Sequence, residues 1–481
     1  MRILLTYSFI IALASSSQAQ QKWNLKTIVD HAMANNINVK LTDVQAKVAA
    51  INYNQSKLSQ YPNANFSTST GLNSGNNQDP TTFSRITQTY LNAGFQLQTS
   101  ADIFNFYSKK NTIAANAWEL KAAGAATEKI KNDIALTAAN AYLQILLSKA
   151  QEDITAIQIK QTQDQLTNTR KQVNAGALPE LNATQLEAQL AQDSVNYISA
   201  KGNTTLALLT LKSYLNIDAG APFEVETPPV DKIPVESIAS LQPEFVYDLA
   251  VKNLPQQRFN DFKMKAAEKN VAVAKAGMYP TLSAFGSLGT SYIASRTAAI
   301  SPVFNGYKFS GLIADAGGGV QYNVLQPDFS FVKNGEYNKT GNFFGQIENN
   351  LQKSIGVSLR VPIFNGGNAK SNYARSKLNI QTITLQKEQD NQKLKQDIYQ
   401  AYNSALIAYE KFNASKKTID ISELNLTYAS KRFNVGMLST FDLITTQNNL
   451  LRAKLQYTQN QFDYVFKMKV LEFYKGMGLR L

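Results

Sequence analysis

The chain has 481 residues, only 17% of them charged, a formal net charge of +13 and a negative mean hydropathy, so its polarity comes from Asn, Gln, Ser and Thr. The Lys and Arg are spread thinly, with no dense basic tract interleaved with aromatics, which argues against nucleic acid as a partner. Cysteine is absent and His31 is the single histidine, which excludes disulfides, thiolate chemistry and His-rich zinc sites, and leaves no convergent set for a secreted enzyme or a bound cofactor.

In chain order, residues 1–19 read as a signal peptide: Arg2, an apolar run from Ile3 to Ala14, then small residues at Ser17 and Ala19. No later stretch reaches the ~18 apolar residues of a membrane-spanning helix. A first repeat, residues 20–215, opens with a helical lead-in, Leu25 to Ser59, which places His31 on an amphipathic helix. Strands follow at about 64–103. The stretch "YLNAGFQLQTSADIF" alternates, with Leu91, Ala93, Phe95, Leu97, Ala101 and Ile103 on one face and Asn92, Gln96, Gln98 and Ser100 on the other. Two long helices are predicted at 106–173 and 180–215, free of proline and broken at Gly176-Ala177-Leu178-Pro179.

Residues 216–244 are a linker, with five prolines between Pro222 and Pro243. A second repeat, 245–481, has the same plan: a lead-in from Glu244 to Met278, strands and an enlarged loop at about 281–363, and helices at 368–433 and 440–475. Matching positions differ by 218 before the strands (Asn35 and Asn253, Tyr61-Pro62 and Tyr279-Pro280) and by 260 after them. The second set includes Ile103-Phe104-Asn105 with Ile363-Phe364-Asn365, Gly176 with Gly436, and Tyr214 with Tyr474. The difference, 260 − 218 = 42 residues, falls between Pro280 and Ile363. This is duplication with one insertion.

The strands decide the class. Leu91, Phe95, Leu97, Ile355, Val357 and Leu359 suit lipid on one face, while Gln and Ser suit water on the other. Four strands per chain cannot close a barrel, and an open edge at membrane depth costs several kcal/mol for each unpaired backbone group. Closure therefore needs several chains, and three give twelve strands. The rival readings are a soluble hairpin and a non-conducting periplasmic coiled-coil scaffold or envelope tether, which has no need of in-phase alternation.

The lead-in "WNLKTIVDHAMANN", the Tyr-Pro strand entries, the "VPIFNGG" junction and "ASKRFNVGMLSTFDLITTQNNLLRAK" resemble the TolC family of bacterial outer-membrane efflux proteins over the whole of residues 20–481. The resemblance implies a mixed α/β fold: a trimeric 12-stranded transmembrane β-barrel continued by a periplasmic α-helical barrel of coiled-coil pairs, with a small equatorial region. It implies a homotrimer that conducts substrates passively, as the exit duct of a tripartite efflux or type I secretion system. The partners implied are outer-membrane lipid, a periplasmic adaptor (membrane fusion protein) and an inner-membrane RND, ABC or MFS transporter. Adaptor contact carries over to the helix turns at Val173, Gly176, Leu178, Val435, Gly436 and Leu438, and a periplasmic gate to Asp442, Asn182 and Thr445. The family pattern has a second Asp where Thr445 stands, so a trimer would present three carboxylates there. Asp442 just after a turn also reads as a helix N-terminal charge. The insertion, about 295–349, reads as an extracellular loop or strand extension over the pore mouth. A duct lined by Asn, Gln, Ser and Thr leaves cargo selection to the pump.

Overall fold

The computed structural model describes residues 22–78, 85–230, 233–295, 297–315, 317–338 and 342–476. The expected signal peptide, residues 1–19, lies outside the described residues. The chain divides into a largely helical unit (Met1–Asn54, Thr112–Val271, Tyr373–Leu481) and a strand-rich unit (Gln55–Asn111, Ala272–Asn372).

The helices come in pairs of matched length. Helices α1 (Leu25–Asn35) and α5 (Pro243–Asn253) have 11 residues each, and α2 (Ile37–Leu58) and α6 (Pro255–Ala276) have 22. Helices α3 (Ser108–Asn174) and α8 (Asn368–Asn434) have 67 each, while α4 (Glu180–Leu215) has 36 and α9 (Thr440–Tyr474) has 35. Their first residues differ by 218 for the short pairs (243 − 25, 255 − 37) and by 260 for the long ones (368 − 108, 440 − 180). Each lead-in, expected as one helix, is two. In the first half Asn36 leaves helical geometry, its N–H closing α1 on the Ala32 carbonyl while its side chain accepts the Asn38 N–H at 2.9 Å. In the second half Pro255 follows the break and cannot continue the preceding helix.

The buried residues of the helical unit repeat as well. One core gathers Ile28, Ala32, Ala138, Ile145 and Leu211; another gathers Val246, Ala250, Ile398, Ala405 and Leu471. Each of these side chains is fully buried, and the second set stands at the same two offsets from the first. Elsewhere along the long helices many buried positions are small or polar, such as Ala122, Thr127, Thr155 and Gln158, interspersed with single leucines such as Leu186 and Leu443, so the apolar layer there is thin.

The proline-rich segment is packed down at mid-helix. Val225 bridges in parallel to Trp23, and the Tyr142 hydroxyl, halfway along α3, donates to the Glu226 carbonyl at 2.7 Å. Equivalent positions of α4 and α9 grip it with opposite charges. Buried Lys212 donates to the carbonyls of Ala219 and Ala221 at 2.8 and 2.6 Å. Buried Glu472, 260 positions on, accepts the Glu236 N–H and the Lys469 ammonium, each at 2.8 Å. His31 sits edge-on to Trp23, 5.0 Å between centroids, within this packing.

In the strand-rich unit, β1 (Asn63–Gln78), β2 (Arg85–Phe104), β3 (Thr281–Ser295) and β6 (Gln352–Arg360) form one antiparallel sheet in the order β1-β2-β3-β6. Of the two readings of the insertion, loop or strand extension, its described residues are strands. They form a second, two-stranded sheet, β4 (Thr297–Asp315) with β5 (Gln321–Asn338), followed by the short helix α7 (Phe343–Asn349).

Candidate functional site

Register assigns every sheet residue to a face. Phe66, Leu97 and Leu288 form one row; Leu72, Leu91 and Ala294 another; Leu282 and Leu359, Ala284 and Val357, and Gly286 and Ile355 pair on the same side. The opposite face carries Asn65, Gln98, Ser287 and Ser354 in one row and Ser67, Gln96 and Gln352 on neighbouring strands, with the Ser287 and Ser354 hydroxyls 2.8 Å apart. Phe285 interrupts this polar face, its ring lying against Gly356, where there is no Cβ. On the apolar face Ile355 is 93% exposed and Val357 and Leu359 about two-thirds exposed. Phe95 is more covered: Phe343 of α7 stands edge-on to it and to Tyr292.

Helix α7 occupies the place of a strand. Beyond the start of β6 no strand among the described residues pairs with the β3 edge, and there Gln346 accepts the Ile293 N–H and donates to its carbonyl at 2.9 and 3.0 Å. Asn350 donates to the Ser291 carbonyl at 2.8 Å. The opposite end of the sheet carries its own aromatic group: Phe106 stacks on Tyr279 at 4.5 Å, with Phe104 against Phe106 and Tyr107. Aromatic clusters thus stand toward both ends of the apolar face, with the row of Leu72, Leu91 and Ala294 just beyond one of them. Among the described residues no helix is long and apolar enough to cross a bilayer.

The two long-helix turns have one geometry. Gly176 has φ +73° and donates to the Val173 carbonyl, while Ala177 donates to that of Gln172. Gly436 has φ +75° and donates to Phe433, while Met437 donates to Arg432. Both are left-handed closures that satisfy the last carbonyls of a helix and favour glycine.

The sequence profile of the outer membrane efflux protein family matches residues 28–216 and 313–468, well over half the chain. This chain belongs to the outer membrane efflux protein family. Among relatives of this efflux protein, the probable outer membrane lipoprotein SilC of Salmonella typhimurium is 19% identical over 94% of the chain and 85% of SilC. Outer membrane protein TolC of Escherichia coli K12 is 21% identical over 97% of the chain and 84% of TolC. A crystal structure of CusC superimposes with a TM-score of 0.72 at 16% identity, covering 97% of this chain and 96% of that one, so the fold is that of an outer-membrane channel with mixed helices and strands.

In this efflux protein the turn residues differ in exposure. Val435 is 69% exposed and Met437 68%, while Gly176 and Gly436 lie at the surface and Leu178 and Leu438 are half-buried. Val173 packs against the buried Leu166, Ala183 and Leu186; its equivalent is Phe433, 260 positions on, and the equivalent of Val435 is Ala175. Met437, Leu181 and Phe441 were missed from sequence, although all three are more than 60% exposed at the tips.

Ser439 caps α9: its hydroxyl accepts the Asp442 N–H at 3.1 Å and donates to the Asp442 carboxylate at 2.7 Å. Thr445 is exposed and bonds back to the Phe441 carbonyl at 2.9 Å, while Asn182 is half-buried with its N–H on the Pro179 carbonyl. Above the turns runs a polar seam that sequence reasoning did not find. Buried Asp193 accepts from Thr162 of α3 at 2.6 Å and from Gln189 at 2.8 Å, and Gln189 exchanges hydrogen bonds with Asn448 of α9 at 3.1 Å. Arg170 pins Glu180 and Glu187 across the first turn. Among the described residues no three His, Cys, Asp or Glu side chains converge to hold a metal ion.

Proposed function

We propose that three copies of this chain close into a passive exit duct, with twelve strands as a pore through the outer membrane and the helices as a tunnel in the periplasm. The duct performs no reaction. The observation that carries this reading is the four-stranded sheet, which ends in β1 on one side and β6 on the other while exposing an apolar face. Two unpaired edges beside lipid are untenable, and a β6-to-β1 contact with a neighbouring copy removes both. The run from Tyr279 to Tyr292 is about 40 Å of strand, or roughly 30 Å across a bilayer at a barrel's usual tilt.

Helix α2 supports the same assembly. Ile37, Leu41, Val44, Val48 and Ile51 recur at coiled-coil spacing, and each is more than half exposed in the single chain. The matched helix lengths and offsets support descent by duplication, in which residues 20–215 and 245–481 give two staves per chain and residues 216–244 an equatorial clamp. Outer-membrane lipid meets the face of Leu91, Phe95, Leu97, Ile355, Val357 and Leu359.

The turns at Val173, Gly176, Leu178, Val435, Gly436 and Leu438 receive a periplasmic adaptor, and an inner-membrane RND, ABC or MFS transporter delivers the cargo. Asp442, Asn182 and Thr445 narrow the periplasmic tip; the capping bond to Ser439 fixes the Asp442 carboxylate at the start of α9 and so sets where three such carboxylates stand. Conductance across planar bilayers tests the reading. Discrete channel openings from purified trimers are expected. Stable trimers that never conduct would favour the scaffold.

A further inference from the structure

The β4–β5 ribbon divides its side chains by face. Its ladder has three irregularities, between Ala298 and Ile300, at Asn305 and at Ser310–Leu312. Between and beside them Phe304 pairs with Phe329, Tyr307 with Pro327 and Phe309 with Leu325. Phe304 lies 5.3 Å from Tyr307 and 5.6 Å from Phe329, ring to ring. These five large side chains share one face and are 49–68% exposed. On the other face Lys308 pairs with Asp328 at 2.7 Å, and Ser330 donates to Asn305.

A lone two-stranded ribbon is marginal in water, and five half-bared side chains of this size present roughly 600 Å² of apolar surface. That is most of the roughly 800 Å² that each partner contributes to a standard stable interface. Charge repulsion between these five side chains does not oppose self-association, because none of them is charged. The ribbon is rooted at Ser295 and Asn342, in the sheet whose edges close the duct. It begins beyond the aromatic cluster of Phe95, Tyr292 and Phe343 and beyond the row of Leu91 and Ala294. Three ribbons tethered to one ring have a high effective concentration for one another.

We infer that the aromatic face of the β4–β5 ribbon, centred on Phe304, Phe309 and Phe329, is a homotypic interface that joins the ribbons of neighbouring copies. This rests on the trimeric duct. Joined ribbons converge over the outer mouth and narrow it.

The chain contains no cysteine, so single cysteines report the contact. In detergent-purified protein, Phe309→Cys, or Leu325→Cys should the first fold poorly, is expected to give a disulfide-linked dimer on a denaturing gel after mild oxidation. Gln326→Cys, on the opposite face, is expected to give little. Linking that is absent, or equal on the two faces, in protein of trimeric mass would overturn the interface and leave the duct intact; monomeric mass would overturn both. The triple variant Phe304→Ser/Phe309→Ser/Phe329→Ser is expected to keep trimeric mass and raise single-channel conductance severalfold. Unchanged conductance would overturn the narrowing.

Discussion

Phe106 stacks on Tyr279 with ring centroids 4.5 Å apart and planes within 18°, and the contact holds a backbone that a phenylalanine rarely adopts. Phe106 and Tyr107 have φ of +47° and +61°, and their equivalents 260 positions on are Gly366 and Gly367, at +63° and +78°. The surrounding bonds repeat too: Ser108 N–H to the Asn105 carbonyl and Asn111 to Tyr107, then Asn368 to Asn365 and Ser371 to Gly367. One left-handed turn thus follows Ile-Phe-Asn in both halves, built from glycine in one and from stacked aromatics in the other. Left-handed geometry costs a non-glycine residue about 1–2 kcal/mol, and an aromatic pair returns about 0.5–1.5 kcal/mol. Tyr279→Ala should therefore lower the thermal midpoint in detergent, and adding Phe106→Gly should recover part of the loss. Failure of the second change to recover any stability would refute the strain argument.

The helix breaks are tied down in the same way. Asn36 donates to the Tyr214 carbonyl at 2.9 Å and Asn253 to the Lys475 carbonyl at 3.1 Å. Asn36→Ala or Asn253→Ala leaves a carbonyl without its side-chain donor and should each cost about 1–3 kcal/mol. Hydrogen exchange should localise the loss to the ends of α4 and α9 respectively. A loss spread evenly over the chain would argue against two separate clamps.

At the tips, Gly176 and Gly436 have open space where a Cβ would stand. Replacement by alanine therefore carries only the backbone cost of positive φ, about 1 kcal/mol. A larger loss, read as fraying of α3 or α8 by hydrogen exchange, would mean that the turns pack against something in the assembly.

Tyr142 gives a pH signature. Burial, with the Glu226 carboxylate adding repulsion, pushes its hydroxyl up to about 12 from an ordinary value of 10.0. The folded state keeps the proton while the unfolded chain loses it. Its contribution is therefore complete below pH 10 and is lost as pH rises from 10 towards 12. Alkaline denaturation should steepen over that window, and Tyr142→Phe, which cannot ionise, should flatten it. An unchanged alkaline limb in the variant would assign the effect elsewhere.

The mixed order of helices and strands was legible because periodicity and glycine punctuation agree over long stretches. The two faces of β2 could be read because no bulge disturbs its pairing before Asp102. The β4–β5 ribbon was not legible as a ribbon: its bulges shift the phase, so Phe304, Tyr307 and Phe309 share a face without strict alternation. The cover over Phe95 was hidden for a related reason, since it comes from Phe343 in a seven-residue helix too short to show a period. At the tips, Gly176 and Gly436 announced the turns, but exposure within a turn depends on which residue follows the helix axis. Val173 therefore turns inward at the position of Phe433. The Thr162–Asp193–Gln189–Asn448 seam joins residues far apart in sequence through common side chains, and nothing in their spacing marks it.

In the proposed duct the sheet closes only between copies. Native mass spectrometry of the detergent-extracted protein tests it most directly. A complex of three chains is expected, held together until the detergent micelle is stripped away, with no folded single chain in detergent-free buffer. A stable, folded monomer that stays in solution without detergent, its β1 and β6 edges open to water, would contradict it.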